Sequence, residues 1–415
     1  MTIQVESTLN TCDAPAPSRR LRIAVVTFYF PVREEPYRGH SAYQTLRCLA
    51  RFAGVQVFTP QARYPSFLLP RSRSWSQTDL SYSPPDVSAT YFDYPALPVL
   101  SRPVNGLMIA NRLEPLIREY APDVILSYWI YPDGYAALRV GRKLGIPVVV
   151  TAIGSDLNCL HRGLGRMCAK TTLKQADRVL TVSYALRQRA IALGAEPSRS
   201  LAILNGCDAS TFRPLPQEEC RRAVGIEPHA RLVLIVGRYD VLKGVIELVK
   251  SCAELAPRFP LLQLAMVGEG PARVAIERTA AECGFSDRLH LVGPCPSSRV
   301  AQWINACDVF ALPSYNEGCP NVLVEALSCG RPVVASRVGG IPELVTQENG
   351  ILVPPRNLDA LAVGLAEALS RPWSATKIAE GSRRSWDDVA NEVYAVCESL
   401  VKTTDKRRDP MADTD

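Results

Sequence analysis

No apolar run in the chain approaches the roughly 18 residues that a membrane-spanning helix needs. The N-terminal stretch MTIQVESTLNTCDAPAPSRR also lacks the basic-then-apolar layout of an export signal, which predicts a cytoplasmic protein. Histidine is scarce, with 4 in 415 residues, and no Asp-x-Asp pair falls between residues 20 and 400. A resident metal is therefore not called for. There are 13 cysteines, an odd number, and none forms a C-x-x-C pair. Cys48, Cys252 and Cys307 fall on apolar faces of predicted helices, so buried free thiols are expected instead of a metal site or a disulfide framework. An excess of one charge sign is nearly absent too. Lys and Arg number 47 against 41 Asp and Glu, and a surplus of 6 is too small to argue for a nucleic-acid partner.

What is present is length and alternation. A chain of 415 residues exceeds what one core comfortably serves and predicts two domains. Short β-branched runs alternate with helical stretches, the pattern of parallel α/β sheets. In the first half, strands are expected at Arg22–Phe28, Val55–Thr59, Asp123–Tyr128, Val148–Ile153 and Arg178–Ser183. The pattern restarts after Asn205-Gly206, with strands at Leu232–Val236, Leu262–Val267, Arg288–Leu291, Val309–Leu312 and Pro332–Ala335. The expected division is a first domain over 20–204 and a second over 205–383, with disordered ends at 1–19 and 403–415. Between Arg63 and Arg102 the alternation fails. Apart from a strand at Val87–Phe92, this Pro-rich segment reads as a long loop in which Tyr64, Phe67, Trp75 and Tyr82 interleave with Arg63, Arg71 and Arg73. Loops of that length tend to be functional. A basic, aromatic loop over residues 63–75 suits a membrane surface or a lipid-linked acceptor, or it is a solvated excursion with no partner.

Parallel sheets bind ligands beyond the carboxyl ends of their strands. Gly237-Arg238, Gly268-Glu269-Gly270 and Pro313–Glu317 each follow such an end. Arg238 and Lys243 flank a short turn ahead of a helix, where cations and free backbone N–H groups together suit a diphosphate. In SYNEGCPNVLVEALSCGRPVVASRVGG, Glu317 lies in a turn and Glu325 on the following helix, while backbone near Gly318, Cys319, Pro320 and Asn321 faces the loop mouth. Two carboxylates of this kind can accept hydrogen bonds from vicinal hydroxyls.

The segment resembles the retaining glycosyltransferase family 4, a GT-B family. Its pattern is Glu, seven residues, Glu, then A-x-x-x-G-x-P-V-V-A-x-x-x-G-G. All fixed positions are present, as Glu317, Glu325, Ala326, Gly330, Pro332, Val333, Val334, Ala335, Gly339 and Gly340. Asn205-Gly206-Cys207-Asp208 with Phe212 and Pro214, Gly237-Arg238 with Lys243-Gly244, and Val267–Pro271 match further elements. Tyr131-Pro132-Asp133-Gly134 is similar to a segment of exopolysaccharide transferases.

The resemblance implies two Rossmann-like, doubly wound α/β domains facing across a cleft. The first would be the acceptor side and the second would bind the nucleotide sugar. A helix over 384–400 would cross back onto the first domain. It implies Arg238 and Lys243 on the donor diphosphate, Glu325 on the ribose, and Glu317 with Gly318–Asn321 at the donor sugar. Glu269, Gly270, Val292 and Gly293 would lie near the base, and Gly39, in the first strand–helix loop, and Ile153 would also be donor-binding. Transfer would retain configuration without a metal, from a UDP- or GDP-sugar to a saccharide or lipid-linked saccharide of cell-surface polysaccharide synthesis. Such an enzyme could work at the inner face of the membrane.

One position departs from the family. Relatives carry T-x-H-G-S-D or T-x-R-G-S-D where this chain reads Thr151-Ala152-Ile153-Gly154-Ser155-Asp156. Asp156 is kept, and stands with Arg238, Lys243 and Glu317 as a candidate catalytic residue. Ile153 can neither donate a hydrogen bond nor move a proton. His161 is a candidate substitute. Two other readings remain open: a non-catalytic nucleotide-sugar-binding protein, motivated by Ile153, and a dinucleotide-dependent oxidoreductase, motivated by Gly268-Glu269-Gly270. Against the oxidoreductase, Arg273 stands at the third glycine position and Pro271 interrupts the fingerprint.

Overall fold

The computed structural model describes residues 20–65, 79–158 and 163–408. Residues 1–19, most of the 63–75 segment, His161 and residues 409–415 lie outside that description. The first sheet contains β1 (Arg22–Val26), β2 (Gly54–Arg63), β3 (Ser88–Pro95), β4 (Val124–Tyr128), β5 (Val148–Ala152), β6 (Arg178–Thr181) and β7 (Ser200–Ala202). The second contains β8 (Arg231–Val236), β9 (Leu262–Val267), β10 (Leu289–Gly293), β11 (Val309–Leu312), β12 (Val333–Ser336) and β13 (Gly350–Val353). Strand orders are β3-β2-β1-β4-β5-β6-β7 and β10-β9-β8-β11-β12-β13, and the pairs in both sheets are parallel. Ile23, Ala24, Val25 and Val26 are fully buried on both faces of β1, as are Leu232, Val233 and Leu234 in β8, because helices cover both sides. Each order reverses beside the domain's first strand, between β1 and β4 and between β8 and β11. Crevices open at those points.

Two short strands escape the sequence reading, β7 and β13, of 3 and 4 residues. The Pro-rich segment is also more regular at its ends than a loop. β2 runs on to Arg63 and pairs with β3 from Gln56↔Ser88 to Arg63↔Pro95. At the C-terminus the helix Trp386–Arg408 continues through residues 403–408, where the sequence predicts a structureless tail. Lys402 pairs with Glu398 at 2.9 Å and the Thr403 hydroxyl bonds Ser399 O at 2.7 Å, so local contacts carry the helix past Leu400.

The chain crosses between the lobes twice, side by side. Cys207 N donates to Arg384 O and Arg384 Nε to Leu204 O, both at 2.9 Å. A Cβ on Gly206 would collide with Ser385 backbone, so only glycine lets these crossings touch. The helix Trp386–Arg408 then buries Trp386, Val389, Val393, Cys397 and Leu400 in the same core as Leu46 and Leu49 of the first lobe.

Candidate active site

The site is built at the β8/β11 crevice. Beyond Val236 the chain turns at Gly237 (φ 147°), leaving Arg238 exposed at the mouth. Asp240 accepts from Leu242 N at 3.0 Å and opens a single 3-10 turn, Val241–Lys243. Gly244 (φ 67°) follows, with no room for a Cβ against Pro313 O. Lys243 therefore stands just ahead of the helix Val245–Leu255, whose first N–H groups have no partner within the helix.

The loop after β11 is sewn to this turn. Tyr315 N donates to Leu242 O at 2.8 Å, the Tyr315 hydroxyl bonds Glu247, and Arg356 stacks on the Tyr315 ring at 4.6 Å. Lys243 Nζ then donates to Glu317 Oε1 at 2.6 Å, with the Glu317 side chain 10% exposed and that of Lys243 34%. Next along, Asn205 Nδ2 donates to Cys319 O at 3.0 Å and Asn321 Oδ1 at 2.7 Å. The interdomain crossing thus pins the start of the helix Asn321–Ser328, and Pro320 immediately precedes it.

Residues of the first lobe close the cleft from above. Ser41, Ile153 and Val182 face Arg238, Lys243, Glu317, Cys319, Pro320 and Asn321 around a volume of about 340 Å³. A Cβ at Gly318 would clash with Ile153 O, and one at Gly339 with Glu317 O, so glycine lets three backbones meet here. Two hydrogen-bond sets tie the lobes. Glu343, two residues beyond Ile341, accepts from Tyr184 N at 2.8 Å and Ala185 N at 2.7 Å, capping the helix Tyr184–Ala192 of the opposite lobe. Asn158 Nδ2 donates to Asn316 Oδ1 at 3.0 Å.

The other candidates lie around this centre. Glu325 is 8% exposed on its helix, and burial pushes its carboxyl up to about 7. Tyr239 N bonds Glu269 O and Gly268 N bonds Gly293 O, each at 2.9 Å, so the loops after β8, β9 and β10 form one laced rim that includes Gly270 and Val292. A Cβ at Gly268 or Gly270 would strike Gly237 or Tyr239 backbone. These glycines let the loops after β8 and β9 pack backbone against backbone. Gly39 (φ 66°) packs on Tyr29 O and does not line the cleft, whereas Ser41, two residues on, does.

Asp156 sits apart from Arg238, Lys243 and Glu317, on a second cavity of about 680 Å³ in the first lobe. Its Oδ1 accepts from Ile153 N and Gly154 N at 3.1 and 2.9 Å, its Oδ2 from Ile130 N at 3.2 Å. Burial raises its carboxyl to about 6. With both oxygens engaged by backbone, Asp156 holds the loops after β4 and β5 together. The same cavity carries an aromatic wall of Phe28, Tyr64, Tyr94, Trp129 and Tyr131. Behind it, Asp133 is fully buried; its Oδ2 accepts from Phe28 N at 2.8 Å, and burial raises its carboxyl to about 8.

With this geometry in hand, comparison with known proteins places the chain. Residues 216–385 match the family described as glycosyl transferases group 1, and residues 39–206 match a glycosyl transferase 4-like domain. A D-inositol 3-phosphate glycosyltransferase of Frankia alni is 32% identical over 63% of this chain and 69% of its own length. The chain belongs to the group 1 glycosyl transferases. A putative teichuronic acid biosynthesis glycosyltransferase of Bacillus subtilis, TuaC, is 34% identical over 61% of this chain, and the match takes in 62% of that relative's length. The fold is shared with Anabaena HepE, solved in complex with UDP, at TM-score 0.68 and 16% identity over 93% of this chain and all 100% of that one. The architecture of this group 1 glycosyl transferase is two Rossmann-like domains in the GT-B arrangement.

Sequence reasoning misses Ser41, Val182 and Glu343. Nothing in the local sequence marks them, since each reaches the site only when one lobe folds over the other. Asn205 stands out in the sequence as part of an element, but its side-chain grip on Cys319 and Asn321 is visible only in the fold.

Proposed function

We propose that this group 1 glycosyl transferase is a retaining, metal-independent member of glycosyltransferase family 4. In this reading it moves a sugar from a UDP- or GDP-sugar to a saccharide or lipid-linked saccharide in cell-surface polysaccharide synthesis, on the cytoplasmic side of the membrane. One observation carries the reading: Arg238, Lys243 and Glu317, drawn from two different strand ends, line one cleft at the β8/β11 reversal. Arg238 and Lys243 supply positive charge where a diphosphate would leave. Glu317 and the backbone from Gly318 to Asn321 supply acceptors and donors for sugar hydroxyls. Glu325 offers a carboxylate to the ribose.

In the reaction, the bond from the sugar anomeric carbon to the diphosphate oxygen breaks while the acceptor oxygen bonds the same face. The acceptor proton passes to the departing diphosphate. Lys243 and Arg238 stabilise the charge that grows on that leaving group, and electrostatic stabilisation of this kind is the strongest help such a site can give the reaction. Closure of the two lobes, tied by Glu343 and Asn158, keeps water from the activated sugar. The D-inositol 3-phosphate glycosyltransferase and TuaC relatives and the UDP complex of HepE support a nucleotide-sugar donor.

The test is proton NMR of full-length protein incubated with UDP-, GDP- and ADP-sugars. Release of nucleoside diphosphate, with an α-linked donor giving an α-linked product or sugar, is expected from one of them. An inverted product would overturn the retaining assignment. A NADH titration that saturates, beside inert nucleotide sugars, would turn the assignment to an oxidoreductase.

A further inference from the structure

Resting on the glycosyltransferase reading, we propose that the donor sugar is a 6-deoxyhexose, which turns a methyl group to the first-lobe wall of the cleft where an ordinary hexose carries a hydroxymethyl. That wall is apolar where its strands end. β5 runs out into Ile153 and β6 into Val182, and both side chains line the cleft of about 340 Å³ opposite Glu317, Cys319 and Asn321. Ser41 adds one hydroxyl from the helix His40–Leu49. Among the described residues, the first lobe gives this cleft no charged side chain.

The apolar pair is fixed in place. Asp156 Oδ1 accepts from Ile153 N at 3.1 Å, while Ile153 O stands so close to Gly318 that a Cβ there would clash. The Ile153 side chain packs against two hydrophobic cores, one of which holds Val182, Leu186 and Cys319. Val182 is 6% exposed, and its N donates to Ala152 O at 3.2 Å. The hydroxyls on either side of it are committed to their own backbone. Ser183 Oγ accepts from Leu186 N at 3.2 Å, capping the helix Tyr184–Ala192, and Thr181 Oγ1 donates to Ser183 O at 2.9 Å.

The facing wall is the reverse. Arg238, Lys243, Glu317 and Asn321 line it, with Asn205 of the interdomain crossing. A sugar held between the two walls finds hydrogen bonds on one side and methyl and methylene groups on the other. A hydroxyl pressed against Ile153 and Val182 loses its water and gains no partner, which weakens binding. The exocyclic arm is the part of a pyranose that projects furthest from the ring. Deleting a ring hydroxyl would leave a bare C–H and a gap against the wall. Deleting the hydroxyl of the arm leaves a methyl group, which keeps its reach and buries apolar surface. That chemistry favours a 6-deoxyhexose over other deoxy sugars. An apolar pocket rejects an added hydroxyl by no more than about 10²-fold, so the preference should lie between about tenfold and that ceiling.

The experiment is calorimetric titration of the full-length protein with donors that differ only in the exocyclic hydroxyl. The pairs are GDP-mannose and GDP-6-deoxymannose, UDP-glucose and UDP-6-deoxyglucose, and UDP-galactose and UDP-6-deoxygalactose. In the pair that binds, the 6-deoxy member should have the lower Kd by about tenfold or more. Ile153→His and Val182→Thr each set a polar group in the wall and should erase that ratio, whereas Ile153→Val, still apolar, should keep it. Each ratio is taken on one protein sample, so a partly unfolded variant loses binding sites for both members alike. Equal or tighter binding of the hydroxymethyl members overturns the proposal and leaves the glycosyltransferase reading standing. A 6-deoxy preference that both polar variants leave intact also overturns it, because the wall would not be its source. If no nucleotide sugar binds, the glycosyltransferase reading falls and the proposal with it.

Discussion

Replacing Lys243 by alanine removes the cation that sits 2.6 Å from Glu317 at the floor of the cleft. At an effective dielectric near 20, one charge about 4 Å from another is worth roughly 4 kcal/mol, and Lys243, 34% exposed, sits in that partly screened regime. Deleting one donor to a growing negative charge typically costs about 10²- to 10³-fold in turnover, or roughly 2.7–4 kcal/mol, which agrees. The change also strips Glu317, only 10% exposed, of its partner, at a cost of about 1–3 kcal/mol in stability. The two consequences are separable. Adding Glu317→Gln to Lys243→Ala removes the stranded charge, so melting temperature should recover while turnover stays low. The assay is initial-rate release of nucleoside diphosphate at saturating donor, with a melting curve on each variant. Turnover within about threefold of wild type in Lys243→Ala, alongside a lowered melting temperature, would make the ion pair a structural feature and refute the diphosphate assignment.

Four further outcomes are expected. Burial places the Glu325 carboxyl near 7 against an ordinary 4.5, so the folded state favours its protonated form. Its contribution to stability is full below about pH 4.5 and is lost as pH rises through about 7, a swing of roughly 3 kcal/mol that Glu325→Gln should remove from a pH series of denaturation curves. Donor affinity should move the other way, weakening below pH 7 as the carboxylate that accepts ribose hydroxyls is protonated; an unchanged affinity from about pH 6 to 8 would place Glu325 outside the donor site. Glu343→Ala removes the cap on Tyr184 N and Ala185 N, and should widen the lobes in small-angle scattering and raise donor KM more than it lowers kcat. An unchanged radius of gyration with unchanged KM would mean that the contact does not govern closure. Ile153→His restores a ring nitrogen to the cleft wall and should change donor preference or the rate of donor hydrolysis; if neither moves, the position lies outside the sugar pocket.

What the sequence discloses, and what it hides, follows from how far each signal reaches along the chain. The strands that carry the site, β8 and β11, stand out as apolar runs because both faces are buried. Arg238, Lys243 and Glu317 follow those strands in short turns whose chemistry alone is a weak signal; the family resemblance singles them out, and the fold brings the three to one cleft. β7 and β13 are too short to show a period. Asp156 is marked in the sequence by the kept Gly154-Ser155-Asp156 of the resemblance, while one of its three backbone donors, Ile130 N, lies 26 residues away and reaches it only on folding. Glu343 is hidden for the same reason, with its partners 159 and 158 residues away. The helix beyond Leu400 is masked by its charge, which on folding becomes the Glu398–Lys402 pair.

The most direct test of the account is a calorimetric titration of UDP-, GDP- and ADP-sugars into the wild-type chain and the Arg238→Ala variant. One nucleotide sugar should bind saturably to wild type and lose about tenfold or more in affinity when the Arg238 cation is removed from the diphosphate. Saturable binding that ignores Arg238, or no binding of any nucleotide sugar, would contradict a donor site at the β8/β11 cleft.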